Sequence, residues 1–186
     1  MPAGQEEERE LLSCSNMIPL KRIQLIVDGL AQINALKIHW THIGDGSERQ
    51  KLQEYAEQKL GDQGNIRYTF TGYVEDVRAY YEQNQVDCFI TTSETEGGCP
   101  VSIQEAMSYG VPVIGTAVGG ITEMIADNGI LLSADPDQGE VASAIQRILT
   151  LEESDLQKAK AAAYRKWQEE FDADKSFDRM YQVLNK

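Results

Sequence analysis

The chain has 186 residues, 41% hydrophobic and 25% charged, proportions that fit one folded domain and exclude an intrinsically disordered chain. Asp and Glu total 30 against 17 Lys and Arg, a formal charge of −13 that argues against nucleic acid or an anionic membrane as the main partner. Cys14, Cys88 and Cys99 are scattered, which reads as reduced thiols of a cytoplasmic protein and excludes a disulfide framework or a CxxC zinc site. No apolar run approaches the ~18 residues of a membrane span.

The acidic opening MPAGQEEERE lacks the apolar core of a signal peptide, and residues 1–10 are expected to form a linker or disordered terminus. One domain is expected over residues 11–186. Leu11–Ser15 is the first predicted strand. Pro19 suits the first turn of the following helix, in which Ile23, Ile26, Val27, Leu30 and Ile33 recur at helical spacing through about Asn34. Ile38–Ile43 is the second strand, closed by Gly44-Asp45-Gly46. Ser47 and Gln50 form a capping box for a helix through about Leu60. Ile66–Thr71 is the third strand, ended by Gly72. A polar helix over Asp76–Asn84 leads to Val86–Thr91, the most apolar strand and so the most central.

Pro100 opens a short helix over Val101–Tyr109, stopped by Gly110. Val111–Gly115 and Gly129–Leu132 are the last strands, with a short helix after Gly119-Gly120 between them. Val141, Ile145, Ile148 and Leu149 mark another helix. Ser154 and Gln157 cap the next, which runs to about Phe171, and a last helix spans about Lys175–Leu184. This alternation predicts a doubly wound α/β domain: a mostly parallel, six-stranded Rossmann-like sheet with helices on both faces. Ligands in such folds bind at the carboxyl ends of the strands, beside helix N-termini.

The loops at those ends carry the candidate chemistry. Glu96-Gly97-Gly98-Cys99-Pro100 leads flexible backbone onto a helix N-terminus, where the N–H groups of Val101 and Ser102 and the helix dipole favour an anion. Glu105 lies within the first two turns of that helix, placed to reach a ribose hydroxyl pair or to be a solvated acid. Lys21-Arg22 offers a point charge and a planar fork suited to a diphosphate, or simply two surface charges. His39 and His42 lie three residues apart on one strand, so they face opposite sides and cannot share a ligand. No GxGxxG follows the first strand, and no GxxxxGK[ST] is present.

Taken together, these loops resemble the donor-binding C-terminal domain of GT-B glycosyltransferases of family 4, also called group 1. The resemblance runs from about Leu11 to the C-terminus. It is strongest over Ser93–Leu132, which reads S-x-x-E-G-(x)-x-P-x-S-I-x-E-A-M-x-x-G-x-P-V-I-x-T-x-V-G-G-x-x-E-M-I through Ile125. Pro19-Leu20-Lys21-Arg22, Gly44-Asp45-Gly46-x-x-Arg49 and Phe70-x-Gly72-Tyr73-Val74 support it.

The resemblance implies a retaining transfer of a sugar from a nucleotide-diphosphate donor, UDP- or GDP-linked, to an acceptor hydroxyl. No cofactor and no metal are implied, and cell-surface polysaccharide or lipopolysaccharide synthesis is the expected setting. Lys21 and Glu96 take the catalytic positions: Lys21 against the diphosphate, Glu96 toward the sugar. Glu105 would bind the ribose, Gly97, Gly98, Cys99, Pro100, Val101 and Ser102 the phosphates and sugar, and Gly72, Tyr73 and Val74 the base. Asn16, Arg22 and Gly44 complete the expected donor site.

Two departures from the family pattern stand out. Eight residues separate Glu96 from Glu105 where the family's acid pair has seven, and Asn16 stands where many members carry an arginine. An acceptor domain is expected to precede Leu11 in the complete enzyme, with any membrane contact made through it at the cytoplasmic face. A sugar-nucleotide epimerase and a non-catalytic nucleotide-sugar-binding module are the alternatives.

Overall fold

The computed structural model describes residues 8–173 together with 175, 177, 181 and 182. Six apolar runs form the strands: β1 (Arg9–Cys14), β2 (Ile38–Ile43), β3 (Ile66–Gly72), β4 (Cys88–Thr91), β5 (Val113–Thr116) and β6 (Gly129–Leu132). All pairings are parallel, in the order β3-β2-β1-β4-β5-β6. Parallel neighbours need crossovers, and the helices supply them: α1 (Gln24–Leu30), α2 (Arg49–Leu60), α3 (Val77–Gln83), α4 (Val101–Ser108), α5 (Ile121–Met124), α6 (Gln138–Leu149) and α7 (Glu153–Glu170).

Alternation along β1 divides the core between the two faces. Leu11 packs with Trp40, Ile26, Val27 and Ile145 under α1, α2 and α6. Leu12 packs with Phe89, Ile103, Met107 and Ala163 under α3, α4 and α7. The doubly wound, all-parallel sheet expected from the sequence is therefore the observed one. Among the described residues, no helix is long and apolar enough to cross a membrane.

Local differences have tertiary causes. β1 begins at Arg9, inside the segment read as a linker, because Arg9 pairs with Ile38 and its N–H donates to the Lys37 carbonyl at 2.9 Å. Pro19 opens only a 3-10 turn, Pro19–Lys21, which Arg22 ends with φ +45° before α1 starts. α1 stops at Leu30, although Ile33 beyond it is fully buried. β5 starts after Pro112, which has no N–H for a ladder. Neither predicted capping box forms: Gln50 bonds Glu54, Gln157 bonds Glu153, and α2 and α7 carry no side-chain cap. Asp76 and Asp137 do cap α3 and α6. The predicted helix over Lys175–Leu184 falls largely outside the described residues, as do residues 1–7.

Candidate functional site

Strand order turns around between β1 and β4. The chain steps outward from β1 to β3, then returns to place β4 on the other side of β1. Crossovers from these two strands diverge, and a crevice opens at their carboxyl ends. An open cleft of about 390 Å³ lies there, with Cys14, Ile43 and Thr91 at the strand ends lining it. The loop after β1 contributes Ser15, Asn16 and Lys21, and the loops after β2 and β3 contribute Gly44, Tyr73 and Val74. The loop after β4 contributes Glu96 and Pro100, and α4 contributes Val101, Ser102 and Glu105. The structure thus brings these predicted residues together. Arg22, Gly72, Gly97, Gly98 and Cys99 are not among the residues that line the cleft.

Arg22 has another task. Its left-handed backbone turns the guanidinium into the loops, where Nε donates to Thr92 O at 2.9 Å and Nη2 to Ser93 O at 3.1 Å and Ala134 O at 2.8 Å. Nη1 pairs with Asp135 at 2.9 Å. The fork expected on a diphosphate instead ties the loops after β1, β4 and β6 together. Thr92 Oγ1 reinforces the seam by donating to the carbonyls of Lys21 and Arg22, at 3.1 and 3.0 Å.

Glycine permits backbone to lie directly on backbone at two places around the cleft. Gly44 has φ +141°, and a Cβ there would sit 2.0 Å from the Ser15 carbonyl oxygen. Asp45 O accepts from Met17 N at 2.9 Å, so the Gly44-Asp45-Gly46 turn braces the loop that carries Asn16. Its Asp45 carboxylate accepts from Gly46 N–H and pairs with Arg49, which hold its pKa below the usual value. Gly119 has φ +50° and would place a Cβ 2.0 Å from the Glu96 carbonyl oxygen. By contrast a Cβ on Gly97 or Gly98 would meet nothing within 4 Å.

Below Ser15 lies a buried polar chain that runs across β1 and β2. Trp40 Nε1–H donates to Ser13 Oγ at 2.9 Å, and Ser13 Oγ meets His42 Nδ1 at 2.8 Å. His42 Nε2 meets the Ser15 carbonyl at 3.2 Å. A carbonyl can only accept, so Nε2 carries the proton, and in the neutral imidazole that burial favours Nδ1 accepts from Ser13 Oγ. Burial drives its pKa down to about 4. No short-range sequence signal marks this chain, because its members are joined across β1 and β2.

The cleft's charges are few. Lys21 Nζ pairs directly with Glu96, whose Oε1 also accepts from Ser93 Oγ at 2.7 Å. Glu96 therefore reaches the cleft despite its longer spacing from Glu105. Glu105 sits at the first turns of α4, and its pKa is raised, chiefly by burial, with Asp76 adding to the shift and Arg78 opposing it. The first N–H groups of α4 have no partner within the helix, and the dipole's positive end faces the same space. One cationic side chain, a helix N-terminus and two carboxylates can hold an anion flanked by hydroxyl groups. Burial pushes the pKa of Cys14, at the end of β1, up to about 11, which keeps it an unreactive thiol. Among the described residues, the His/Cys/Asp/Glu group that could hold a metal is Glu8, Glu10 and His39. It lies at the opposite end of β1 and β2 from the cleft, and Arg67 already pairs with Glu8 at 2.6 Å. A larger groove of about 490 Å³ runs between α4 and the end of α7 and shares Val101 and Glu105 with the cleft.

Comparison with known proteins bears on this geometry. The model of the family described as glycosyl transferases group 1 matches residues 8–151. Among similar curated proteins, N-acetyl-alpha-D-glucosaminyl L-malate synthase of Bacillus anthracis is 30% identical over 144 residues, 76% of this chain and 36% of that protein. Lipopolysaccharide 1,6-galactosyltransferase of Escherichia coli K12 is 28% identical over 168 residues, 88% of this chain and 44% of that protein. The chain thus spans less than half the length of either. Among solved structures, the lipopolysaccharide outer core galactosyltransferase WaaB superposes with a TM-score of 0.79 at 22% identity, over 98% of this chain and 50% of that one. Anabaena HepE in complex with UDP and glucose superposes with a TM-score of 0.77 at 22% identity, over 95% of this chain and 48% of that one.

Proposed function

The chain belongs to the glycosyl transferases of group 1, and on that premise we propose that it is the donor-binding half of a retaining glycosyltransferase. The observation that carries the reading is the convergence of Lys21, Glu96, Glu105 and the α4 N-terminus on one cleft at the switch point of the sheet. In this reading Glu105 accepts hydrogen bonds from the ribose hydroxyls. Lys21 and the N–H groups of Val101 and Ser102 face the diphosphate. Glu96 addresses the sugar, and Gly72, Tyr73 and Val74 border the base. A UDP-sugar is the favoured donor, since the structure of the similar HepE contains UDP.

When the glycosidic bond breaks, negative charge grows on the departing nucleotide. A preorganised ammonium and helix N-terminus stabilise that charge without solvent reorganisation. They supply the role a divalent cation plays elsewhere, so turnover is expected to survive chelator treatment. The acceptor is held by a second lobe, through which membrane contact at the cytoplasmic face would occur. Surface polysaccharide or lipopolysaccharide synthesis is the matching setting, as in the similar E. coli galactosyltransferase.

The test is a thermal-shift panel of UDP-, GDP- and ADP-sugars on this chain. A ligand that binds only the folded state raises its midpoint in proportion to saturation. A UDP-sugar is expected to raise it in the wild type and far less in Lys21→Ala. Equal midpoints with every nucleotide sugar at millimolar concentration contradict the reading.

A further inference from the structure

Lys21 and Glu96 are both cleft residues, and each is the other's partner. Their side chains are 22% and 15% exposed, so the pair is only partly open to solvent screening. The loops that carry them are fastened together: Glu94 N–H donates to the Leu20 carbonyl at 2.8 Å, beside the bonds from Thr92 Oγ1 to Lys21 and Arg22. That seam keeps the two side chains within reach of one another. The ammonium on which a diphosphate would rest is therefore already neutralised by a carboxylate.

A phosphate that takes the Lys21 ammonium from Glu96 breaks this pair. Glu96 then keeps a single donor, Ser93 Oγ, and gains an anion as its neighbour. Like charges this close, in a partly desolvated cleft, oppose binding. A carboxylate stripped of its cation also needs replacement donors. A sugar attached to the diphosphate provides hydroxyl groups at this point, and a free nucleoside diphosphate provides none.

Resting on the donor-domain reading, we propose that the Lys21–Glu96 pair makes the cleft discriminate between a sugar-loaded donor and the empty nucleoside diphosphate. Glu96 competes internally for Lys21 and is satisfied only by a ligand carrying a sugar. The same contact lowers affinity for the spent nucleotide and promotes its release.

Glu96→Gln preserves shape and the bond to Ser93 while removing the charge. NMR titration of this chain with UDP and with UDP-glucose gives the two dissociation constants. The expected result is that Glu96→Gln binds UDP roughly fivefold more tightly than wild type, the scale of one partly exposed ion pair, and UDP-glucose no more tightly. The preference for the loaded donor then collapses. A double-mutant cycle of Glu96→Gln with Lys21→Met, read by urea denaturation without ligand, reports the pair itself and is expected to show coupling. Coupling with equal UDP affinity in wild type and Glu96→Gln overturns the discrimination while leaving the donor site intact. Coupling with no nucleotide bound by any variant overturns the donor-domain reading and this inference with it. Absence of coupling overturns the pair as a device.

Discussion

His42 shows how a single buried side chain directly behind the ligand space can set its geometry. Its Nε2–H holds the Ser15 carbonyl against which Gly44 packs, and Ser15 and Asn16 line the cleft. A histidine whose folded pKa is depressed favours the neutral form. The unfolded chain therefore binds the proton first as pH falls from about 6.5 toward 4, and stability is lost across that window. Between pH 7 and 4.5 this group should remove about 2–3 kcal/mol. Urea denaturation at both pH values is expected to show a smaller loss for His42→Gln than for wild type, and equal losses contradict the neutral assignment. Glu105 has the opposite sign. Its raised pKa means that ionisation costs stability, present at low pH and lost as pH rises through the carboxylate range to the folded value. Glu105→Gln should therefore raise the unfolding midpoint at pH 7. It should also weaken nucleotide binding about tenfold or more, since hydrogen bonds to a charged acceptor contribute ~1.5–3 kcal/mol. A variant with unchanged affinity would remove Glu105 from the site.

At the scale of elements, the strands and the helices that join them were legible because periodicity and turn residues are local signals. Ile38–Ile43 and Gly129–Leu132 were read with their observed ends. The failures share a cause. Ser47–Gln50 and Ser154–Gln157 have capping-box spacing, yet α2 starts at Arg49, where Glu48 N–H donates to the Met17 carbonyl and Arg49 pairs with Asp45, and α7 starts at Glu153 with no side-chain cap. Arg22 sits beside Lys21 in sequence, but its left-handed φ sends the two cations to different tasks. Ten of the residues named from the sequence do line one cleft, since strand ends and the long glycine-rich motif mark it. The braces behind them, His42 under Ser15 and Gly119 against Glu96, are contacts between segments distant in the chain and leave no local pattern. Two glycines separate these roles. Gly119→Ala puts a Cβ into the Glu96 carbonyl at positive φ and should cost ~1–3 kcal/mol of stability. Gly97→Ala meets only open space, so its denaturation midpoint should stay near that of wild type. Similar stabilities for the two variants would contradict this division.

For the whole molecule, charge is the unexpected term. A chain with a formal charge of −13 places its candidate phosphate site in a repulsive field. Among the residues that line the cleft, Lys21 and the α4 N-terminus oppose that field, and Lys21 is already paired with Glu96. Donor binding by this chain should accordingly be weak and should strengthen as added salt screens the net charge. The fold supplies what the charge does not: a switch point where two fastened loops and a helix terminus meet with little freedom to move. The central claim is that this cleft is where a nucleotide sugar binds. The most direct test is a backbone-resolved NMR titration of the chain with a UDP-sugar. The account predicts that shifts concentrate on Ser15, Asn16, Lys21, Glu96–Ser102 and Glu105. Shifts confined to Ser108, Tyr109, Tyr164, Trp167 and Phe171, the part of the α4–α7 groove outside the cleft, or none at saturating ligand, would contradict it.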